Sequence, residues 1–169
     1  MEIAEQERIF GEWMDQYKGL FFKFVRAYAF TPVDRDDLFQ EISIQVWRSI
    51  PNFRGEASPM TWLYRISINT ALSWVRKENK RKDGQDEFSD VNLVLRDNPA
   101  KDEQLEWLYT QIATLGEIDR SLTLLLLDGF SYKEMATLLG ITESNVGVKI
   151  NRIKKRLIEK SKTTYEYGI

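Results

Sequence analysis

The sequence predicts an all-α protein: two small helical domains joined by a linker, the C-terminal one a helix-turn-helix. Three observations carry that reading. Apolar residues recur at spacings of three and four rather than two, glycine is scarce inside these periodic segments, and residues 81–104 interrupt the period with Gly84, Pro99 and a surplus of Asp and Glu. At 169 residues the chain has room for a real core in one domain or in two. Hydrophobic residues make up 43% and charged residues 30%, a globular balance, and no apolar run reaches membrane length, so the expectation is a soluble, cytoplasmic protein. The acidic, amphipathic start MEIAEQERIFGEWMDQY lacks the basic end and apolar stretch of a secretory signal.

Taken in order, the first helix is expected from about Glu5 to Phe30. Thr31-Pro32-Val33-Asp34 breaks and restarts the chain, with Asp34 expected to cap a second helix that runs to about Ile50, where Pro51 stops it. After the loop from Asn52 to Ala57, Ser58 supplies a cap and Pro59 a first helical position for a third long helix, which fades in RKENKRK. These three helices make domain 1–80. The linker, 81–104, has room for a short element at Val91 to Leu95. Domain 105–169 follows, with helices from about Leu105 to Thr114, Ile118 to Leu127, Tyr132 to Leu139 and Glu143 to about Lys160. Ser131-Tyr132-Lys133-Glu134 has the form of a capping box, and Thr142 caps the last helix.

Chemistry narrows the function. With neither Cys nor His in the chain, disulfides, thiol nucleophiles, imidazole bases and Cys/His metal sites are excluded, and no cofactor or metal is expected. The net charge of −2 hides a segregated pattern: from Ile141 to Lys162 seven Lys or Arg face two Glu. Leu139-Gly140-Ile141-Thr142 is the short glycine-containing turn of a helix-turn-helix. On the helix after it, Val146, Ile150, Ile153 and Leu157 form an apolar seam. The 3.6-residue period then turns Asn145, Val148, Arg152 and Lys155 outward, flanked by Ser144 and Lys149. Such a face can read a DNA major groove: Asn pairs with adenine, Arg with guanine, Lys with phosphate, and Val with a thymine methyl. The alternative is a helical hairpin whose basic end is solvated and complements the helix dipole.

On the third helix, Met60, Leu63, Ser67, Ala71 and Trp74 share the side expected to pack, while Trp62, Arg65, Asn69, Leu72 and Arg76 share the other. A Trp beside Arg and Asn, preceded by Asn52-Phe53-Arg54-Gly55-Glu56, suits single-stranded nucleic acid, with aromatics stacking on bases and arginines on phosphates; the alternative for Trp62 is ordinary core packing. On the second helix, Leu38, Phe39, Ile42, Val46 and Ile50 make the core face. Asp37, Gln40, Glu41, Ile44 and Arg48 lie roughly opposite, with Trp47 at the margin, and an Ile among polar residues points to a protein partner. Two rivals remain open on the residues alone: a stand-alone helix-turn-helix regulator, and a carboxylate-dependent hydrolase using Asp34, Asp36, Asp37 and Glu41 with a divalent metal.

In sequence order, DRDDLFQEISIQVWRSIPNFRGEASPMTWLYRISINTALSWVRK, an acidic linker and the helix-turn-helix resemble a bacterial RNA polymerase sigma factor of the sigma-70 family, extracytoplasmic-function (ECF) group, over residues 8 to 160. The resemblance implies a non-enzymatic initiation factor with two helical domains. Region 2 binds core polymerase and opens the promoter -10 element; region 4 lies on the polymerase flap and reads the -35 element. Asp37, Leu38, Gln40 and Glu41 match the family's D-L-x-Q-E segment, implied to dock on the clamp helices of the largest subunit together with Ile44. Phe53, Arg54, Gly55, Trp62, Arg65 and Asn69, with Arg76, are implied contacts of the -10 element. Ser144, Asn145, Val148, Lys149, Arg152 and Lys155 occupy the implied -35 reading helix, where Gly147 departs from the family pattern. The implied partners are core polymerase, duplex and single-stranded promoter DNA, and a separate anti-sigma factor.

Overall fold

The computed structural model describes residues 1–83 and 103–166, and all regular structure among them is helical. The expected element at Val91 to Leu95 lies outside these residues. The helices are α1 (Ile3–Tyr28), α2 (Pro32–Ser49), α3 (Pro59–Asp83), α4 (Glu103–Ala113), α5 (Glu117–Leu127), α6 (Tyr132–Leu139) and α7 (Glu143–Glu166), with a 3-10 turn at Ile50–Asn52. They form two compact units, α1 to α3 and α4 to α7. No helix among the described residues is long and apolar enough to cross a membrane.

In the first unit α1, α2 and α3 pack pairwise. Phe21, Phe24, Leu38, Ile42, Leu63 and Tyr64 are all but inaccessible to water at its centre. Each fully buried side chain of this size is stabilising by about 1.5–3 kcal/mol, so the core is ample for a domain of three helices. Gln6 Nε2 donates to the Trp47 carbonyl at 2.8 Å, tying the start of α1 to the end of α2.

Two expectations are corrected here. Thr31, not Asp34, caps α2: its hydroxyl accepts the Asp34 N–H at 3.1 Å, and Pro32 takes the first turn, where its missing N–H costs nothing. Leu72, expected on the outward side of α3, is buried. The helix packs against both α1 and α2, so its covered arc is wider than one stripe and takes in Tyr64, Ile68, Thr70 and Leu72 as well. The start of α3 is as expected, with the Ser58 hydroxyl accepting the Thr61 N–H at 3.1 Å.

In the second unit α7 packs on α5 and α6, and α5 on α4 and α6. The capping box of α6 closes in both directions: Ser131 N–H donates to Glu134 Oε2 at 2.7 Å, and Glu134 N–H to Ser131 Oγ at 3.2 Å. Glu134 is consequently held below the ordinary glutamate pKa, first by the Ser131 backbone N–H and then by its hydroxyl. Gly140 ends α6 at φ +66°, a left-handed conformation natural to glycine, and lets the chain turn into α7. Thr142 caps α7 by accepting the Asn145 N–H at 3.1 Å. That helix continues to Glu166, beyond the expected end near Lys160.

Candidate nucleic-acid and partner interfaces

Three surfaces gather the residues of interest. The first is a concavity on the α1–α3 unit lined by Asn52, Phe53, Arg54, Thr61, Trp62 and Arg65, with Glu56 also on its wall. Phe53 lies between two indoles. Its ring meets Trp13 edge-on at 5.1 Å and Trp62 at 5.6 Å and 61°. The 3-10 turn supplies this geometry by returning the chain over α3, so that Trp62 Nε1 also donates to Ser49 Oγ at 3.2 Å. Gly55 then reverses the backbone at φ +73°, where a side chain would be strained. Trp62 is therefore half-buried and hydrogen-bonded rather than freely outward, while Arg54 and Arg65 are exposed beside it. Two cations next to a partly open aromatic wall can hold an unstacked base and its phosphates.

Asn69 does not join that group. It lies in a cleft between α2 and α3 with Asp37, Glu41, Gln45, Trp74 and Lys77. Arg76 is exposed farther along α3.

The second surface is the outer face of α2. Asp37, Gln40 and Ile44 are exposed there, Ile44 to 43%, and Glu41 is half-buried. Leu38, expected among the docking residues, has no accessible surface at all and supports α2 from within. It follows Asp37 directly, and the step of about 100° between adjacent helical residues carries it from the exposed stripe to the packed side. Asp37 Oδ2 accepts a hydrogen bond from Trp74 Nε1 at 2.7 Å, and Glu41 Oε1 one from Gln45 Nε2 at 3.2 Å.

The third surface is α7. Val146, Ile150 and Ile153 are buried against the unit, and Ser144, Asn145, Val148, Arg152 and Lys155 are exposed, the arrangement expected from the period, while Leu157 at the end of the expected seam is only half-buried. Lys149 differs. It is largely covered, and its Nζ lies 3.5 Å from Asp119 Oδ1 on α5, so it bridges two helices instead of standing free on the reading face. Gly147 sits beneath Tyr132: a methyl added there would meet the ring at 3.7 Å, ordinary contact. Sequence reasoning missed Trp13, Ser49 and Asp119, each of which fixes a site residue from another element. Only Trp13 left a signal, as a large aromatic within the amphipathic period of α1.

A helical unit with an aromatic, cationic concavity, followed by a helix-turn-helix unit whose last helix exposes a polar, basic face, has the chemistry of a DNA-binding factor. Comparison with known proteins agrees. The Sigma-70 region 2 family matches residues 13–81 and Sigma-70 region 4 matches residues 105–157. An ECF RNA polymerase sigma-E factor of Haemophilus influenzae is 33% identical over 140 residues, 75% of this chain and 74% of that protein. Its counterpart in Escherichia coli K12 is 29% identical over 140 residues, 75% and 73%. Among solved structures, the sigma factor RpoE of Bartonella quintana, crystallised with the anti-sigma factor NepR, shares the fold at a TM-score of 0.79 and 19% identity, over 92% of this chain and 98% of that one. CnrH, solved with the cytosolic domain of CnrY, gives 0.63 and 18%, over 93% and 90%. The chain belongs to the sigma-70 family of RNA polymerase sigma factors, in the ECF group. Sigma factors are transcription initiation factors and not enzymes, so the carboxylate-hydrolase alternative falls away, and with it the stand-alone regulator.

Proposed function

We propose that this sigma factor divides promoter recognition among the three surfaces. The exposed stripe Asp37, Gln40, Glu41 and Ile44 docks on the clamp helices of the polymerase largest subunit, with Leu38 supporting it from the core. Phe53, Arg54, Trp62 and Arg65 hold the displaced strand of the -10 element, and Gly55 shapes the loop that carries them. Asn69 and Arg76 extend the DNA path along α3. In the second unit, which rests on the polymerase flap, Asn145, Val148 and Arg152 meet base edges of the -35 element, while Ser144 and Lys155 hold phosphates. Lys149 contributes charge from its bridge to Asp119.

Opening needs no catalytic group. Extruding a base costs a few kcal/mol. Each base stacked on an aromatic returns about 1–3 kcal/mol, so a pocket and one or two stacking partners bring the exchange near balance. The observation that carries this reading is Phe53 fixed between Trp13 and Trp62 with two exposed arginines alongside. Substitution tests it directly. Holoenzyme with Phe53→Ala should bind an unpaired -10 oligonucleotide about tenfold more weakly, with its affinity for the closed duplex unchanged. Undiminished affinity for the unpaired strand contradicts the assignment.

The factor acts in the cytoplasm with polymerase, and its activity is restrained by an anti-sigma factor. The fold shared with RpoE, which was crystallised with the anti-sigma factor NepR, supports the second point.

A further inference from the structure

Trp74 reads from the sequence as a packing residue, and it is indeed 8% exposed. Its indole N–H nevertheless leaves the core and ends 2.7 Å from Oδ2 of Asp37, an exposed residue on the stripe assigned to polymerase docking. We propose that Trp74 is a positioning residue for docking: its N–H fixes the Asp37 carboxylate in the orientation that core polymerase meets. The inference rests on the docking role of α2 proposed above.

The chemistry of the donor supports this. An exposed Asp ordinarily loses side-chain freedom when a partner captures it, which subtracts from affinity. Here one oxygen is already held by a short, charge-assisted bond from a ring locked by its burial, and the second oxygen is left for the partner. The donor is also neutral. An indole N–H donates without accepting and carries no charge, so it orients the carboxylate without cancelling it, as an Arg or Lys at the same place would. Asp37 has no ion pair among the described residues. Glu41, one turn along, repeats the device: its oxygen is held by the neutral amide of Gln45 at 3.2 Å. Two acids on one stripe are thus oriented by uncharged donors. The negative charge is kept intact for a cationic side chain of the partner, and Lys77, the cation lining the same cleft, bonds neither acid.

The test is a double-mutant cycle on the full chain, titrated against sigma-free core polymerase, with thermal melting of each variant in parallel. Asp37→Ala should weaken binding by about tenfold or more. Trp74→Phe keeps the ring's bulk and removes the donor. It should weaken binding about fivefold in the native background and less than about twofold when Asp37 is already Ala. No effect of Trp74→Phe on the native chain overturns the inference. So does an equal loss in both backgrounds, which is the signature of packing alone. If Asp37→Ala itself leaves affinity unchanged, the docking role of α2 fails and the positioning role falls with it, an outcome distinct from the other two. A second measurement covers the case in which Trp74→Phe does not fold: the Trp74 indole proton resonance should move upfield in Asp37→Ala, and an unmoved resonance overturns the inference.

Discussion

The two surfaces proposed to meet DNA are built on opposite plans. On α7 the proposed reading residues Asn145, Val148, Arg152 and Lys155 stand clear of the unit, and a separate seam of Val146, Ile150 and Ile153 does the packing. Around the Phe53 loop no such separation exists. Phe53 contacts Trp13 of α1 and Trp62 of α3, and Trp62 is bonded to Ser49 at the end of α2, so the residues proposed to hold DNA also join the three helices of the unit. Duplex DNA presents its base edges to a polar helix face that can be exchanged residue by residue. An extruded base stacks on aromatic rings, and in this unit the rings available for that also pack its helices together.

That contrast can be broken by mutation. The largest effect is expected at Trp62. Trp62→Ala should both abolish promoter opening and destabilise the first unit by about 2 kcal/mol, below the full core value because the indole is half-buried. Calorimetry beside transcription assays checks the pairing, and lost opening with an unaltered melting temperature would separate function from packing. Arg152→Ala should do the reverse. Affinity for the -35 duplex should fall by about 1–3 kcal/mol, while stability stays within about 0.5 kcal/mol, as read by gel shift and melting.

Smaller effects sharpen the picture. Gly147→Ala should stabilise the second unit by about 1 kcal/mol, since helical glycine is costly and the added methyl rests against Tyr132 without overlap. Duplex affinity should not change, because the position faces Tyr132 and not the reading face. A loss of affinity would show that DNA approaches the backbone there. The smallest effect concerns pH. The folded state depresses the Glu134 pKa, so the capping-box contribution is present above the ordinary value of 4.5 and is lost as pH falls through the lower folded value. Glu134→Ala should therefore melt earlier than the native chain at pH 7, with the gap closing on strong acidification.

Element positions were largely legible in the sequence because local signals fixed them. Ser131 with Glu134, Gly140 and Thr142 bracket α6 and start α7 where their chemistry says they should. The exposed face of α7 was legible for a related reason: one packed seam leaves the opposite side to solvent. Periodicity is weaker where a helix has two packed neighbours, since it gives relative directions but not the width of the covered arc; this is why Leu72 is inside. Leu38 was legible from the period as a core residue, which its burial bears out; only the motif match counted it among the docking residues, because the family segment spans buried and exposed positions alike. Contacts between elements left little trace. Nothing in the sequence near Lys149 indicates Asp119, and Asn69, four residues from Arg65 on the helix period, opens into a different cleft because α2 lies over that turn of α3.

Strand capture and duplex reading are proposed to reside on separate surfaces. The fraction of bound promoter that is open, measured by permanganate reactivity of -10 thymines in complexes with core polymerase, tests this separation most directly. With Arg152→Ala, occupancy should fall while the open fraction of occupied promoters stays at the native level; with Trp62→Ala, promoters should remain occupied and closed. Native opening by Trp62→Ala, or an open fraction lowered by Arg152→Ala at full occupancy, would contradict it.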